Sequence, residues 1–247
     1  MGAVVITYNL RGIASGLKLS PEVIAGIFTG EIAQWNDPQL VKLNPRVRFP
    51  ANAITVVHRS DNSGTTAVFT DYLSKVSQSW KATVGSGTSV KWPVGSEAKG
   101  NEGVSQMVTS TSGAIGYVEL SYAVQAMLPL AILRNQSGKF IWAQIESVTA
   151  AAAGATVTMP ADLRVSLTDA PGEESYPISS FTYLLVYEDN PDKAKGEALA
   201  KFLKWTEHQG QTFCAPLWYA PLPPEVVAKV DAKLKSLTAK GQKLLNN

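Results

Sequence analysis

The chain has a single cysteine, Cys214, and only two histidines, His58 and His208. One cysteine excludes a disulfide framework and a cysteine-rich zinc site, and leaves any metal to be held by carboxylates and carbonyls. There is no EF-hand spacing and no His-x-x-x-His pair, so no metal or other cofactor is expected. No apolar run reaches the length of a membrane span. Charge is also scarce: 17% of the 247 residues are charged, and the formal net charge is +2. The densest basic region, Lys229 to Lys243, alternates lysine with alanine, leucine and valine as a solvated helix face does. Nucleic acid is therefore not an expected partner. With 45% hydrophobic residues the chain is too apolar for disorder, and its length fits one large domain or two lobes.

The opening "MGAVVITYNL" enters a strand-like run at once, without the basic region, apolar stretch and small-residue cleavage site of an export signal. A mature chain, or one lacking an N-terminal part, is expected. Val4 to Leu10 and Ile54 to His58 are β-branched, apolar and bounded by turn residues, so both read as buried strands. Ser20-Pro21-Glu22 starts a helix that Gly30 ends, and Asn36 or Asp37 caps another that begins at Pro38 and stops by Pro45. Ala67, Val68, Phe69, Tyr72, Leu73 and Val76 give one apolar helical face. A short helix carries Val104, Met107 and Val108, and Ala114 to Val118 reads as a glycine-containing strand. Leu128 to Arg134 and Lys139 to Ala143 make a hairpin over "NQSG", with an alanine-rich helix after it from Ile145 to Ala153. "TDAPGEESYP", Thr168 to Pro177, reads as a linker, and Ile178 to Tyr187 as the strongest strand of the chain. Two helices follow, one from Pro191 to about His208 and one over "PPEVVAKVDAKLKSL". Strands alternating with helices imply an α/β fold with largely parallel sheets and crossover connections.

Between the strand ending at His58 and the helix beginning near Gly64 lies "HRSDNSGTT". A helix N-terminus leaves the N–H groups of its first turn without intrahelical partners, and its dipole favours an anion by roughly 0.3 to 1 kcal/mol. Gly64 permits close approach to that backbone, Ser63 and Thr65 add hydroxyls, and Arg59 adds a planar fork suited to a tetrahedral oxyanion. Asp61 would repel an anion unless occupied, and a pair with Arg59 would occupy it while orienting the guanidinium. The plainer account is that Ser63 is an N-cap worth roughly 0.5 to 2 kcal/mol and that Arg59 and Asp61 form a surface pair worth about nothing. A serine nucleophile with His58 as base fits poorly. The strand turns His58 away from its neighbours, and no G-x-S-x-G elbow is present.

"HRSDNSGTTAVFTDYLSKVS", "SVKWPVG", "KGNEGV" and "GAIGYVEL", in that order, resemble the PstS-type phosphate-binding proteins of bacterial ABC phosphate importers. The resemblance also takes in "IFTGEIAQWNDPQLVKLNP" and "YPISSFTYLLVY", and runs from about Val4 to about Pro223. It implies a two-lobed periplasmic-binding-protein-like α/β fold (type II), N-terminally truncated, that closes on inorganic phosphate and is no enzyme. Residues 1–176 would be the second lobe, with the phosphate-binding helix N-terminus, and residues 177–247 the C-terminal part of the first. Carried onto matching positions, it implies that Arg59, Ser63, Gly64 and Thr65 contact phosphate while Asp61 orients Arg59. The implied partners are the permease subunits of an ABC importer, and the implied location is the periplasm or cell surface. The family's N-terminal segment, with a "GATFP"-like helix start, a serine loop and an aspartate, has no counterpart in the sequence, and that first-lobe segment is expected to be needed in cis or as a separate chain. The alternatives are a binding-deficient fragment, a binder of another oxyanion such as sulfate, and, further off, a phosphomonoesterase.

The remaining features have plainer roles. Asn101 and Glu102 are expected to cap the helix that follows them, Trp35, Trp80 and Trp92 to be core or lobe surface, and Cys214 to be a partly buried small residue. Glu119 is expected to be a helix first-turn charge.

Overall fold

The computed structural model describes residues 1–245. Its strands are β1 (Gly2–Tyr8), β2 (Lys18–Leu19), β3 (Thr55–Arg59), β4 (Ser96–Ala98), β5 (Ala114–Glu119), β6 (Ile132–Arg134), β7 (Phe140–Ile141), β8 (Ser179–Ser180), β9 (Thr238–Ala239) and β10 (Gln242–Lys243). Its helices are α1 (Pro21–Thr29), α2 (Pro38–Leu43), α3 (Gly64–Val76), α4 (Gln78–Thr83), α5 (Gly100–Ser110), α6 (Leu120–Gln125), α7 (Ile145–Ala155), α8 (Lys193–Glu207) and α9 (Pro224–Ser236). The helix starts follow local chemistry. Ser20 accepts a hydrogen bond from Val23 N and Asp37 one from Gln39 N, with Pro21 and Pro38 as first helical residues; Gly30, at φ 83°, closes α1 in the left-handed conformation.

A five-stranded sheet in the order β4-β3-β5-β1-β8 forms the centre. β3 lies parallel to both β4 and β5, but β1 runs antiparallel to β5 and to β8, so the sheet is mixed and not largely parallel. Alternation of strands and helices constrains how sequential neighbours connect. It is silent on the direction of β1, which enters between two strands that follow it much later in the chain. The main core packs on this sheet, with Trp35, Trp80, Tyr8, Tyr72, Tyr117 and Tyr176 among its fully buried side chains. A separate small cluster of Ala200, Leu203, Leu234, Leu237, Ala239 and Leu244 holds α8 and α9 together.

Two sequence expectations change here. Ile178 to Tyr187 does not form one strand: β8 covers only Ser179–Ser180, paired to Ala3 and Gly2. β1 pairs with this run only through Gly2 and Ala3, and among the described residues the run from Phe181 to Tyr187 lies in no strand. An extended apolar segment is stabilised as a strand only by a partner ladder and a covered face. Here Leu184, Leu185 and Tyr187 stay exposed, Leu185 at 97%. Thr168 to Pro177 is not a loose linker either. Thr168, Ser175 and Tyr176 are buried, and the Asn135 side-chain amide donates to the carbonyls of Gly172, Glu173 and Ser175. Among the described residues no helix is long and apolar enough to cross a membrane.

Candidate functional site

β3 ends at Arg59, at the carboxyl edge of the parallel part of the sheet, where strands diverge and open α/β sheets take their ligands. The Arg59 guanidinium makes two hydrogen bonds to Asp61, Nε to Oδ1 at 2.8 Å and Nη2 to Oδ2 at 2.6 Å. Asp61 Oδ1 also accepts from the backbone N–H of Gly100 at 3.1 Å. Those bonds, Arg59 first and Gly100 second, hold the Asp61 carboxyl well below the usual carboxylate range, and the same pair raises the Arg59 pKa. The Arg59 side chain is 9% exposed and that of Asp61 31%, so the pair is partly buried, with the guanidinium the more enclosed half. A planar cation is fixed in one orientation, with its remaining donors free of Asp61.

Five residues on, α3 begins. Ser63 sits at the N-cap in extended conformation, φ −142° and ψ 127°, and its Oγ accepts from Thr66 N at 3.1 Å while its carbonyl accepts from Ala67 N at 3.0 Å. The N–H groups of Gly64 and Thr65 remain, as a helix N-terminus requires, without a partner among the described residues. A Cβ at Gly64 would meet nothing within 4 Å, so packing does not demand glycine there and the space beside that backbone is open. Ser63 is buried and its own N–H donates to Thr88 O, which fastens the glycine-rich connection beside the helix start. The expected group of Arg59, Asp61, Ser63, Gly64 and Thr65 therefore gathers at one strand-to-helix junction. The N-cap account and the anion-cradle account are compatible, because capping uses only Thr66 and Ala67. What is left is a set of fixed donors with one carboxylate already occupied.

His58 takes no part as a base. It is buried, stacks on Trp92 with ring centroids 4.8 Å apart, and burial lowers its pKa. Asn101 does not cap α5, whose N-cap is Lys99; its Oδ1 accepts from the Glu119 backbone N–H at 3.2 Å. Glu119 is the N-cap of α6 and accepts from Ser121 N at 2.9 Å. Trp35 and Trp80 are fully buried, Trp92 packs against the same core, and Cys214 is partly buried. Three contributors escape sequence reasoning. The buried helical face includes Thr66 and Thr70, with Val68 and Val76 only partly buried against the core, the Gly100 amide reaches Asp61 from 39 residues away, and the Tyr117 hydroxyl meets both Arg59 and Thr66. A hydroxyl in an apolar stripe is the only local signal for the threonines. Nothing in the sequence marks the other two. Among the described residues no group of three or more His, Cys, Asp or Glu side chains is placed to hold a metal ion.

A family model described as the PBP superfamily domain matches residues 1–207, which sets the class. The chain is 45% identical over 237 residues to the phosphate-binding protein PstS of Pasteurella multocida, covering 96% of this chain and 69% of that protein. It is 44% identical to PstS of Haemophilus influenzae, covering 96% and 71%, and 42% identical to PstS of Xylella fastidiosa, covering 94% and 64%. The chain belongs to the PstS phosphate-binding protein family. It spans 64% to 71% of the length of these relatives. Among solved structures, a human phosphate binding apolipoprotein superposes with a TM-score of 0.66 at 21% identity, covering 94% of this chain and 70% of that one. A phosphate-binding protein from Stenotrophomonas maltophilia gives 0.63 at 20%, covering 94% and 68%. At these identities the likeness concerns the fold, which is the expected periplasmic-binding-protein-like α/β fold.

Proposed function

We propose that this chain binds inorganic phosphate at the junction of β3 and α3 and delivers it, outside the cytoplasm, to the membrane permease of an ABC importer. The observation that carries the reading is the largely enclosed Arg59 fork, locked by Asp61, beside the N–H groups of Gly64 and Thr65, which have no partner among the described residues. Arg59, Ser63, Gly64 and Thr65 supply donors to the anion, and Asp61 orients Arg59 without touching it. In this reading residues 1–176 form the lobe that carries the cradle and residues 177–247 belong to the other, apart from Ile178 to Ser180, which join the cradle's sheet through β8, with the cleft between the lobes. The role is capture and release, not catalysis. His58 cannot serve Ser63 as a base, since it is committed to Trp92, and a chromogenic phosphate ester, assayed free of contaminating phosphatase, should not be turned over. The names of the PstS relatives support phosphate as ligand. The direct test is a titration of labelled chain with phosphate, with the amide signals of Gly64 and Thr65 expected to move saturably; a phosphate response elsewhere only would remove the site.

Asp61→Ala should weaken phosphate binding by about three- to tenfold, because Arg59 becomes mobile but keeps its charge. That loss should be smaller than the loss on removing Arg59. An equal or larger one in calorimetry would mean that Asp61 touches the ligand. The pH dependence has a definite sign. A carboxyl whose pKa is lowered on folding contributes above its unfolded value of about 4 and loses that contribution as pH falls through the lower folded value. Affinity for phosphate should therefore not fall through loss of the Arg59–Asp61 pair anywhere above about pH 4.

Sulfate gives a further test. Telling hydrogen phosphate from sulfate requires an acceptor for the ligand proton, and both Asp61 oxygens already accept from Arg59 and Gly100. This chain should discriminate between the two anions by less than about tenfold, read by competition of labelled phosphate with sulfate. Stronger selectivity would show that another carboxylate reaches the ligand.

A further inference from the structure

Tyr117 is fully buried on β5, its ring stacked on Phe69 at 4.4 Å and against Trp92 at 5.6 Å. A phenylalanine would make those ring contacts equally well, so the hydroxyl needs its own explanation. Burying a hydroxyl is unfavourable unless it is hydrogen-bonded. This one is bonded on two sides. The Arg59 backbone N–H donates to it at 3.3 Å, and it lies 2.6 Å from Thr66 Oγ1. Burial pushes its pKa up to about 12, so it stays a neutral hydroxyl.

The two partners belong to the two halves of the proposed cradle. The ladder between β3 and β5 ends at Val57 opposite Gly116, so Arg59 lies beyond the paired register and its N–H is met by the tyrosine hydroxyl. Thr66 lies in the first turn of α3, and its N–H is the one that Ser63 Oγ caps. One buried oxygen thus joins the end of the strand that carries Arg59 to the helix turn behind Gly64 and Thr65. Ser60 to Asn62 connect the same two points only through an exposed or half-exposed loop. Arg59 and the helix N–H groups can act on one anion only if their separation is fixed, because a shift of either half costs donors.

We infer that Tyr117 is a positioning residue for the anion site: through its hydroxyl it sets the spacing between Arg59 and the N-terminus of α3, and Thr66 is the other half of that brace. The inference rests on the phosphate reading above. Removing either hydroxyl leaves Arg59 N–H or the remaining hydroxyl buried with one partner fewer, while the ring packing and the ligand donors stay in place.

The test is phosphate titration, followed at the Gly64 and Thr65 amides, of the unmodified chain, Tyr117→Phe, Thr66→Val, the double variant and Arg59→Ala, with thermal melting of each. Tyr117→Phe and Thr66→Val should each raise the phosphate Kd by roughly three- to tenfold, and the double variant should do little more than either alone, because both cut the same link. A purely structural role would lower the melting temperature and leave Kd where it was, or give Kd losses that multiply. Either result overturns the assignment. If the unmodified chain binds saturably, Arg59→Ala weakens binding by about tenfold or more, and Tyr117→Phe binds as the unmodified chain does, then Tyr117 alone is misassigned. If the unmodified chain shows no saturable response, the phosphate reading fails and the brace falls with it.

Discussion

Replacing Arg59 by alanine is expected to weaken phosphate binding by about 10- to 150-fold, the ratio that corresponds to losing about 1.5 to 3 kcal/mol of charge-assisted hydrogen bonding. Two effects combine. The anion loses the cation fixed at the junction, and Asp61 loses the guanidinium that now balances its charge, keeping the Gly100 N–H. An unpaired carboxylate beside the anion then repels it. The second effect makes a further expectation specific: Arg59→Ala combined with Asp61→Ala should bind better than the product of the two single losses predicts. Arg59→Lys should fall between, since an ammonium restores the charge but not the fork that engages Asp61 through Nε and Nη2. Calorimetric titration with phosphate measures all four. Unchanged affinity in Arg59→Ala would remove the residue from the site, and multiplicative losses in the double variant would remove Asp61 from the role of its counter-charge.

The parts of this site that can be read in the sequence are those whose chemistry is local. Ser63 before Gly64, Ser20 before Pro21 and Asp37 before Pro38 all cap helices because a short polar side chain can reach an N–H two or three residues on. Arg59 and Asp61 are two residues apart, so their pairing too is a short-range matter. What escapes is whatever spans the chain. The Gly100 amide on Asp61, the Tyr117 hydroxyl on Thr66 and the antiparallel direction of β1 depend on how strands are ordered in the sheet, and no pattern within a strand encodes that order. The run from Ile178 to Tyr187 fails for the converse reason. Its residues have strand propensity throughout, but propensity becomes structure only where a neighbour offers a ladder, and β1 offers one only to Ser179 and Ser180.

The segment that sequence composition marks as a linker is where the largest loss of stability is expected, and the residue responsible is Asn135. Its side chain lies in the turn between β6 and β7 and is almost wholly buried, with Nδ2 donating to Gly172 O at 3.1 Å, Glu173 O at 2.9 Å and Ser175 O at 3.1 Å. Its Oδ1 accepts from Lys139 N at 3.0 Å. The two hydrogens of one amide are thus shared among three carbonyls while its oxygen accepts from one N–H, which fixes the approach of the chain to the buried Tyr176 and to β8. Asn135→Ala withdraws all of these at once. Leaving the buried Ser175 carbonyl unpaired, while those of the exposed Gly172 and Glu173 turn to water, should destabilise the protein by about 1 to 3 kcal/mol, a fall in melting temperature of roughly 2 to 12 °C for a chain of this size. Asn135→Asp is the sharper variant. It keeps the acceptor for Lys139 but turns a second oxygen toward three carbonyls, so its carboxyl should be held protonated and its pKa raised on folding. An acid with a raised folded pKa binds more protons folded than unfolded between the two pKa values, so stability should fall as pH rises through about 4 and continue to fall until the folded value is passed. The melting temperature of Asn135→Asp relative to the unmodified chain, measured from pH 4 to pH 8, should therefore decline steadily. A flat difference across that range, or an Asn135→Asp variant that melts with the unmodified chain, would mean that residues 172–175 are held by something other than this amide.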